Sequence, residues 1–136
     1  MKLSKLQEKY YYFQRCVIRL ADGMSRDLTD EIYLAGMVKH YEMAFELGWK
    51  VMKDYMTLKG TSEKISFTKD VIKAAFKHEL RINPQVWLDM VEFRNKMVHE
   101  YGEEAAHILI EKLKSGFLQE LQNTVQVMKE LIDEIE

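Results

Sequence analysis

The spacing of apolar residues over the first 24 positions constrains the fold more than any other feature. Apolar side chains recur there in alternating steps of three and four, at Leu3, Leu6, Tyr10, Phe13, Val17, Leu20 and Met24. Such a heptad-like seam predicts an amphipathic α-helix, which has to bury the seam against other helices. The segment ADGMSRD then predicts the end of this helix, because Gly23 and the Ser and Asp residues around it favour a turn.

The same periodicity predicts further helices along the chain. The longest runs from about Thr29 to Lys59, and its apolar band is so wide that we expect burial on more than one side, by other helices and by a second subunit. A shorter helix is predicted in SFTKDVIKAAFKHEL, with Ser66 or Thr68 as its N-cap. The segment KGTSEKIS between these two helices is typical of a linker.

Two more helices complete the pattern. One begins at Asn83, which caps it, and at Pro84, whose missing N–H costs nothing at the first helical position. The other begins near Glu103 and bends near Ser115 and Gly116. The sequence therefore predicts an all-α fold, an antiparallel up-and-down four-helix bundle with an additional short helix, in a single domain over residues 1–136.

Composition and residue spacing exclude several classes of function. The chain has 20 basic and 22 acidic residues, too even a balance for a broad nucleic-acid-binding face, so any contact with RNA has to be local. Cys16 is the single cysteine, which excludes an intrachain disulfide and a cysteine-based zinc site. His40, His78 and His107 lack the spacing of metal ligands, and we expect no metal and no cofactor.

The chain is also expected to stay out of the membrane. None of its apolar runs approaches the roughly 20 residues that a membrane-spanning helix requires. Its first residues, MKLSKLQEKYYYF, are too charged and aromatic for a signal peptide. These two observations predict a cytoplasmic protein.

The segment RNKMVHEYGEE, residues 94–104, brings Arg94, Asn95, His99 and Tyr101 together just before a glycine that is expected to end the helix. In an α-helix Asn95 and His99 share a face, whereas Arg94 lies about 140° around the helix from His99. A second copy of the helix, related by a two-fold axis, would help to complete the set. Spacing alone also fits an ordinary polar helix end, where His and Arg complement the helix dipole.

These residue types suit the cleavage of RNA without a metal ion. Histidine titrates near neutrality and can take the proton of a ribose 2′-hydroxyl as that oxygen attacks the neighbouring phosphate. The planar guanidinium of arginine can stabilise the negative charge that develops on the phosphorus oxygens. We therefore expect His99 to act as the base and Arg94 to stabilise the charge, with Asn95 holding the imidazole in one tautomer.

Three blocks of the sequence, in order, resemble one protein family. YEMAFELGWKVMKDYM resembles its F-E-x-x-[FW]-E-L-x-W-K block, and DVIKAAF resembles its V-I-R-x-A-F block, although Lys73 stands where arginine is usual. VWLDMVEFRNKMVHEY resembles its W-x-x-[ML] segment followed by the motif R-N-x3-H-x-Y. Over about residues 30–130 the chain is therefore similar to the nucleotidyltransferase substrate-binding proteins of the HEPN superfamily.

The resemblance implies both partners and an activity. It implies a helical homodimer that forms a complex with a separate minimal nucleotidyltransferase, which is encoded nearby. It also implies a toxin that cleaves single-stranded RNA without a metal, with Arg94 and His99 as catalytic residues and Asn95 in support. It also implies that the transferase adenylylates Tyr101 and thereby inhibits the toxin, while the chemistry of the segment itself gives Tyr101 the role of positioning the phosphate. An AMP group at that position is expected to lie over Arg94 and His99 and to exclude RNA.

The matching blocks extend the candidate site beyond the motif. Glu42, Glu46, Lys50 and Lys73 lie in or beside them and are expected to line the site or to contact a partner. Two other interpretations stay open: a non-catalytic subunit that binds a nucleotide or other substrate for the transferase, and a HEPN scaffold without activity. The chain has neither a Gly-rich phosphate loop nor a paired-Asp motif, so we do not expect it to transfer nucleotides itself.

Overall fold

The computed structural model describes residues 1–61 and 65–135, and only the backbone at position 98. Within these residues the fold is all-α, as the sequence predicts. Part of the predicted linker KGTSEKIS falls outside the described residues. In the described part of the chain, none of the helices is both long enough and apolar enough to cross a membrane.

Four long helical segments and one short helix make up the described chain. They are α1 (Leu3–Gly23), α2 (Glu31–Leu58), the short α3 (Thr68–Lys77), α4 (Pro84–Lys96), and a last segment made of α5 (Ala105–Lys112) and α6 (Leu118–Asp133). A π-helical turn (Met97–Tyr101) and a 3-10 turn (Gly102–Glu104) connect α4 to α5, and a second π-helical turn (Leu113–Phe117) joins α5 to α6. Helix α2 is central, because it packs against α1, α3, α5 and α6.

The ends of the helices follow local capping chemistry where a side chain can reach the backbone. The Asp30 carboxylate accepts hydrogen bonds from the backbone N–H groups of Ile32 and Tyr33, so α2 begins at Glu31 rather than near Thr29. The predicted start of α4 is confirmed, since Asn83 caps it and Pro84 occupies its first position.

The predicted cap of α3 is wrong. Phe67 is its N-cap residue and makes no side-chain hydrogen bond to the helix, so neither Ser66 nor Thr68 has the expected role. The predicted bend of the last helical segment is confirmed, because the π-helical turn lies there and the backbone of Gly116 is non-helical.

The core fixes α2 against α4, the two helices that carry the candidate site. The Tyr41 hydroxyl, inside the core, donates a hydrogen bond of 3.1 Å to the backbone carbonyl of Met90. Gly48 permits close packing, because a Cβ atom there would lie 2.7 Å from the Trp87 ring and 2.9 Å from the Phe13 ring. Trp87 is fully buried and donates its indole N–H to the Thr124 hydroxyl. The register of α2 and α4 is thus determined by packing on the inner side of both helices.

Candidate functional site

The argument from the spacing of Arg94 and His99 assumes that both lie on one regular α-helix. In the structure, α4 ends as a regular α-helix before His99. Residues Met97–Tyr101 form a π-helical turn, and the chain then changes direction at Gly102, whose φ and ψ are 52° and −128°. A π-helical turn bonds residues five apart, so it reduces the angle between side chains at positions i and i+5. Arg94 still lies in α4 and only Met97–His99 of the segment lie in this turn, so the separation of about 140°, which holds for an α-helix, applies to the segment only in part.

Four of the predicted site residues lie in one cleft. This cleft has a volume of about 430 Å³ and is lined by Glu42 from α2 and by Arg94, Asn95, Met97 and His99 from α4 and the π-helical turn. Met97 is buried, Glu42 is half-buried, and the other three are exposed to solvent. A single chain thus brings together a guanidinium, an imidazole, an amide and a carboxylate.

Arg94 is held in place by α2. Its guanidinium forms an ion pair of 3.1 Å with Glu46, and it lies over the Phe45 ring at 5.9 Å from the ring centroid. Glu46 is also 3.6 Å from the Lys50 ammonium one turn further along α2. The Arg94–Glu46 pair is partly solvated, so it orients the arginine more than it stabilises the fold.

The other polar side chains of the cleft are unengaged. In the part of the chain that the structure describes, Glu42, Asn95 and His99 make no side-chain hydrogen bond and no ion pair. Asn95 therefore does not hold the His99 imidazole as expected from the sequence. All three side chains are available to a ligand.

Tyr101 lies apart from this cleft. Its ring packs against Phe93, with the ring centroids 5.6 Å apart, and it is half-buried. It lines a second depression, of about 220 Å³, together with Asp89, Glu92, Phe93, Lys96 and Lys112. Tyr101 follows His99 by two residues, a spacing at which helical side chains do not face each other, and the two side chains line different depressions.

The second depression combines two lysines with two carboxylates. Lys96 forms an ion pair of 2.8 Å with Glu92, and the hydrogen bond from its ammonium lowers the pKa of the Glu92 carboxyl. The charge of Lys112 lowers this pKa further. Lys73, by contrast, is exposed on α3 and lines neither the cleft nor the second depression.

A larger cleft, of about 490 Å³, lies where the end of α1 meets the start of α2, and Arg19, Tyr33 and His40 are among its lining residues. Burial, followed by the positive charge of Arg19, lowers the pKa of His40. The sequence gives no local signal for this cleft, because it arises from how two helix ends pack. In the described residues, no group of three or more His, Cys, Asp or Glu side chains is arranged to hold a metal ion.

Comparisons with known proteins agree with the resemblance seen in the sequence. The model of the family described as nucleotidyltransferase substrate binding protein like matches residues 4–130. The chain is also similar to a probable ribonuclease HepT of Haemophilus influenzae, with 23% identity over 113 residues. That similarity covers 78% of this chain and 77% of the Haemophilus protein.

A solved structure shares the fold. It is a Haemophilus influenzae protein described as revealing the fold of a substrate binding domain of a nucleotidyltransferase. The two match with a TM-score of 0.63 and 21% identity, over 94% of this chain and 99% of that chain. Because the family model spans nearly the whole sequence, the chain belongs to the nucleotidyltransferase substrate binding protein-like family.

Proposed function

We propose that the protein is a HEPN-type, metal-independent endoribonuclease, the toxin of a two-component module whose other member is a separate minimal nucleotidyltransferase. The observation that carries this proposal is that Arg94 and His99 line one cleft within a single chain. The relative described as a probable ribonuclease supports the same reaction class. The substrate is single-stranded RNA, because a cleft on the surface can admit a strand whose backbone is free to bend.

The cleft supplies the groups that RNA transesterification requires. The ribose 2′-oxygen attacks the adjacent phosphorus, the bond from phosphorus to the 5′-oxygen breaks, and the products are a 2′,3′-cyclic phosphate and a 5′-hydroxyl. His99 provides proton transfer, which typically contributes about 10²- to 10⁴-fold in rate. Arg94 stabilises the charge on the non-bridging oxygens, and the Asn95 amide can donate to the same phosphate.

The ion pair with Glu46 is compatible with this role of Arg94. A guanidinium carries five N–H donors in a fixed fork, so one edge can remain on Glu46 while another binds the phosphate. The observed pair of 3.1 Å fixes the direction of the fork before the substrate arrives. Such preorganisation avoids part of the cost of arranging the charge during the reaction.

The partner proteins are inferred from the family to which the chain belongs and not from the residues of the cleft. The description of the family and that of the solved relative both refer to a nucleotidyltransferase. We propose that the transferase adenylylates Tyr101, that the toxin is a homodimer, and that it works in the cytoplasm. The second candidate function is a non-catalytic subunit that binds a nucleotide or substrate for the transferase, which the words substrate binding in both descriptions favour.

Cleavage in the presence of EDTA tests the proposal. The purified protein should cut single-stranded RNA and leave 2′,3′-cyclic phosphate ends, and His99→Ala and Arg94→Ala should each reduce the rate by about 10²-fold or more. His107→Ala and Arg26→Ala are matched controls, because both side chains are exposed and outside the cleft. Wild-type protein that does not cleave RNA, and is not toxic when produced without the transferase, would favour the binding subunit.

A further inference from the structure

We propose that Glu42 is a second catalytic residue, which takes the proton of the attacking 2′-hydroxyl while the His99 imidazolium gives a proton to the departing 5′-oxygen. The inference rests on the proposed ribonuclease function and changes the role of His99 from base to acid.

The position and the environment of Glu42 support this role. It extends from α2 into the cleft that is completed by His99 from the end of α4. It is half-buried, yet it makes no hydrogen bond and no ion pair with any residue that the structure describes. Removing a carboxylate from water is unfavourable, and such groups are normally paired. An unpaired carboxylate and an unpaired imidazole that line the same cleft are therefore available for chemistry.

Glu42 and Glu46 have different roles, although both lie on α2. Glu42 and Glu46 are four residues apart, so both side chains leave the helix on the same side. Glu46 is occupied, since it binds Arg94 at 3.1 Å and lies 3.6 Å from Lys50. Glu46 thus orients the group that binds the phosphate, and Glu42 remains free one turn closer to the start of the helix.

The reaction needs two proton transfers, and one imidazole cannot serve both in a single step. The 2′-oxygen loses a proton as its bond to phosphorus forms, and the 5′-oxygen gains one as its bond to phosphorus breaks. An ionised carboxylate only accepts hydrogen bonds, whereas an imidazolium donates from both nitrogens. Glu42 is therefore the acceptor and His99 the donor. After cleavage Glu42 holds the proton and His99 is neutral, so hydrolysis of the cyclic phosphate by water uses the same two groups in reverse.

A substrate with sulfur in place of the bridging 5′-oxygen distinguishes the acid from the base. A thiol has a pKa of about 8.5 and leaves as a thiolate without help from an acid. On ordinary RNA, Glu42→Gln and His99→Ala should each lose about 10²- to 10⁴-fold in cleavage rate. On the sulfur-containing RNA, His99→Ala should return to near the wild-type rate, and Glu42→Gln should remain slow.

One binding measurement and one control variant distinguish a catalytic effect of Glu42→Gln from a purely structural effect. Binding of a 2′-deoxy analogue, which cannot be cleaved, should be unchanged in Glu42→Gln when followed by fluorescence anisotropy. Glu111→Gln is the matched control, because that carboxylate is exposed and lies outside the cleft.

The outcomes are distinct for the two proposals. If Glu42→Gln cleaves ordinary RNA at the wild-type rate, or recovers on the sulfur-containing RNA as His99→Ala does, the inference is overturned and the ribonuclease function stands. A weakened complex between Glu42→Gln and the analogue, large enough to account for its slower cleavage, overturns the inference as well. If the wild type cleaves neither substrate, both proposals fail.

Discussion

Tyr101 packs on Phe93 in a depression that Lys96 and Lys112 also line, apart from the cleft that contains Arg94 and His99. An AMP group attached to its phenol oxygen would place a phosphate close to these lysines. The expectation from the sequence, that the AMP would lie directly over Arg94 and His99, does not follow from this geometry. The modification would instead obstruct a long RNA strand that runs from the cleft across the end of α4.

Adenylylation can be tested at this residue. With the transferase, ATP and Mg²⁺, the protein should gain the mass of one or more AMP units at Tyr101, while Tyr101→Phe should gain none. Tyr12→Phe should be modified like the wild type, because Tyr12 is exposed on α1, far from the motif in sequence. We expect the modified protein to lose cleavage of long RNA and to retain cleavage of a dinucleotide. Equal modification of Tyr101→Phe and wild type would refute the assignment.

At the scale of single residues, the sequence predicts the members of the site better than their arrangement. Spacing and resemblance select Arg94, Asn95 and His99, which share a cleft. The separation of Tyr101 from His99 also follows from spacing, because residues two apart lie about 200° apart on an α-helix and do not face each other. The π-helical turn itself, by contrast, leaves no local pattern that can be read from one sequence.

The turn that follows α4 depends on Gly102. Its φ of 52° with ψ of −128° is a conformation that residues with a Cβ atom rarely adopt, and, its chain neighbours aside, no atom of the described residues lies within 4 Å of a Cβ built there. Gly102→Ala should therefore destabilise the protein through backbone strain alone, by about 1–3 kcal/mol in urea unfolding. It should also slow RNA cleavage, because His99 belongs to the adjoining turn.

Gly36→Ala is the matched control for this substitution. Gly36 lies inside α2 and is exposed, and a Cβ atom added to it would meet, beyond the adjacent helix backbone, no atom of the described chain within 4 Å. Alanine there should stabilise the helix by roughly 0.5–1 kcal/mol, because glycine loses more conformational freedom on folding. A Gly102→Ala protein as stable as the wild type would contradict the role given to the glycine.

At the scale of helices, the sequence predicts the end of an element where local chemistry determines it. Asn83 and Pro84 start α4 through a side-chain cap and a suitable φ, and both features can be read from the sequence. Helix α3 has no side-chain cap at Phe67, so its start follows from packing that brings Val71 and Ile72 into the core. That information is tertiary, which is why the sequence points to the wrong capping residue there.

The whole bundle leaves large apolar side chains uncovered on its first two helices. Ile18 on α1 is 58% exposed, and Ile32 on α2 is 87% exposed. Met43 on α2 is exposed as well. These exposed residues lie outside the apolar band predicted for α2, whose members are almost all buried within the chain, among them Leu34, Met37 and Met52. The other argument for a dimer, that the offset between Arg94 and His99 favours a site shared by two subunits, is weaker than expected, because both residues line one cleft of a single chain.

The prediction of a two-fold homodimer therefore rests on the exposed apolar side chains of α1 and α2. Covering an isoleucine side chain typically contributes about 1.5–3 kcal/mol, so Ile18→Glu together with Met43→Glu should dissociate the dimer. Light scattering at micromolar concentration should give twice the chain mass for the wild type and the mass of one chain for the double variant. Lys69→Glu is the control, because Lys69 is an exposed polar residue on α3 and its substitution should leave the dimer intact. A monomeric wild type would refute the dimer, whereas a double variant that stays dimeric would move the interface to another face of the bundle.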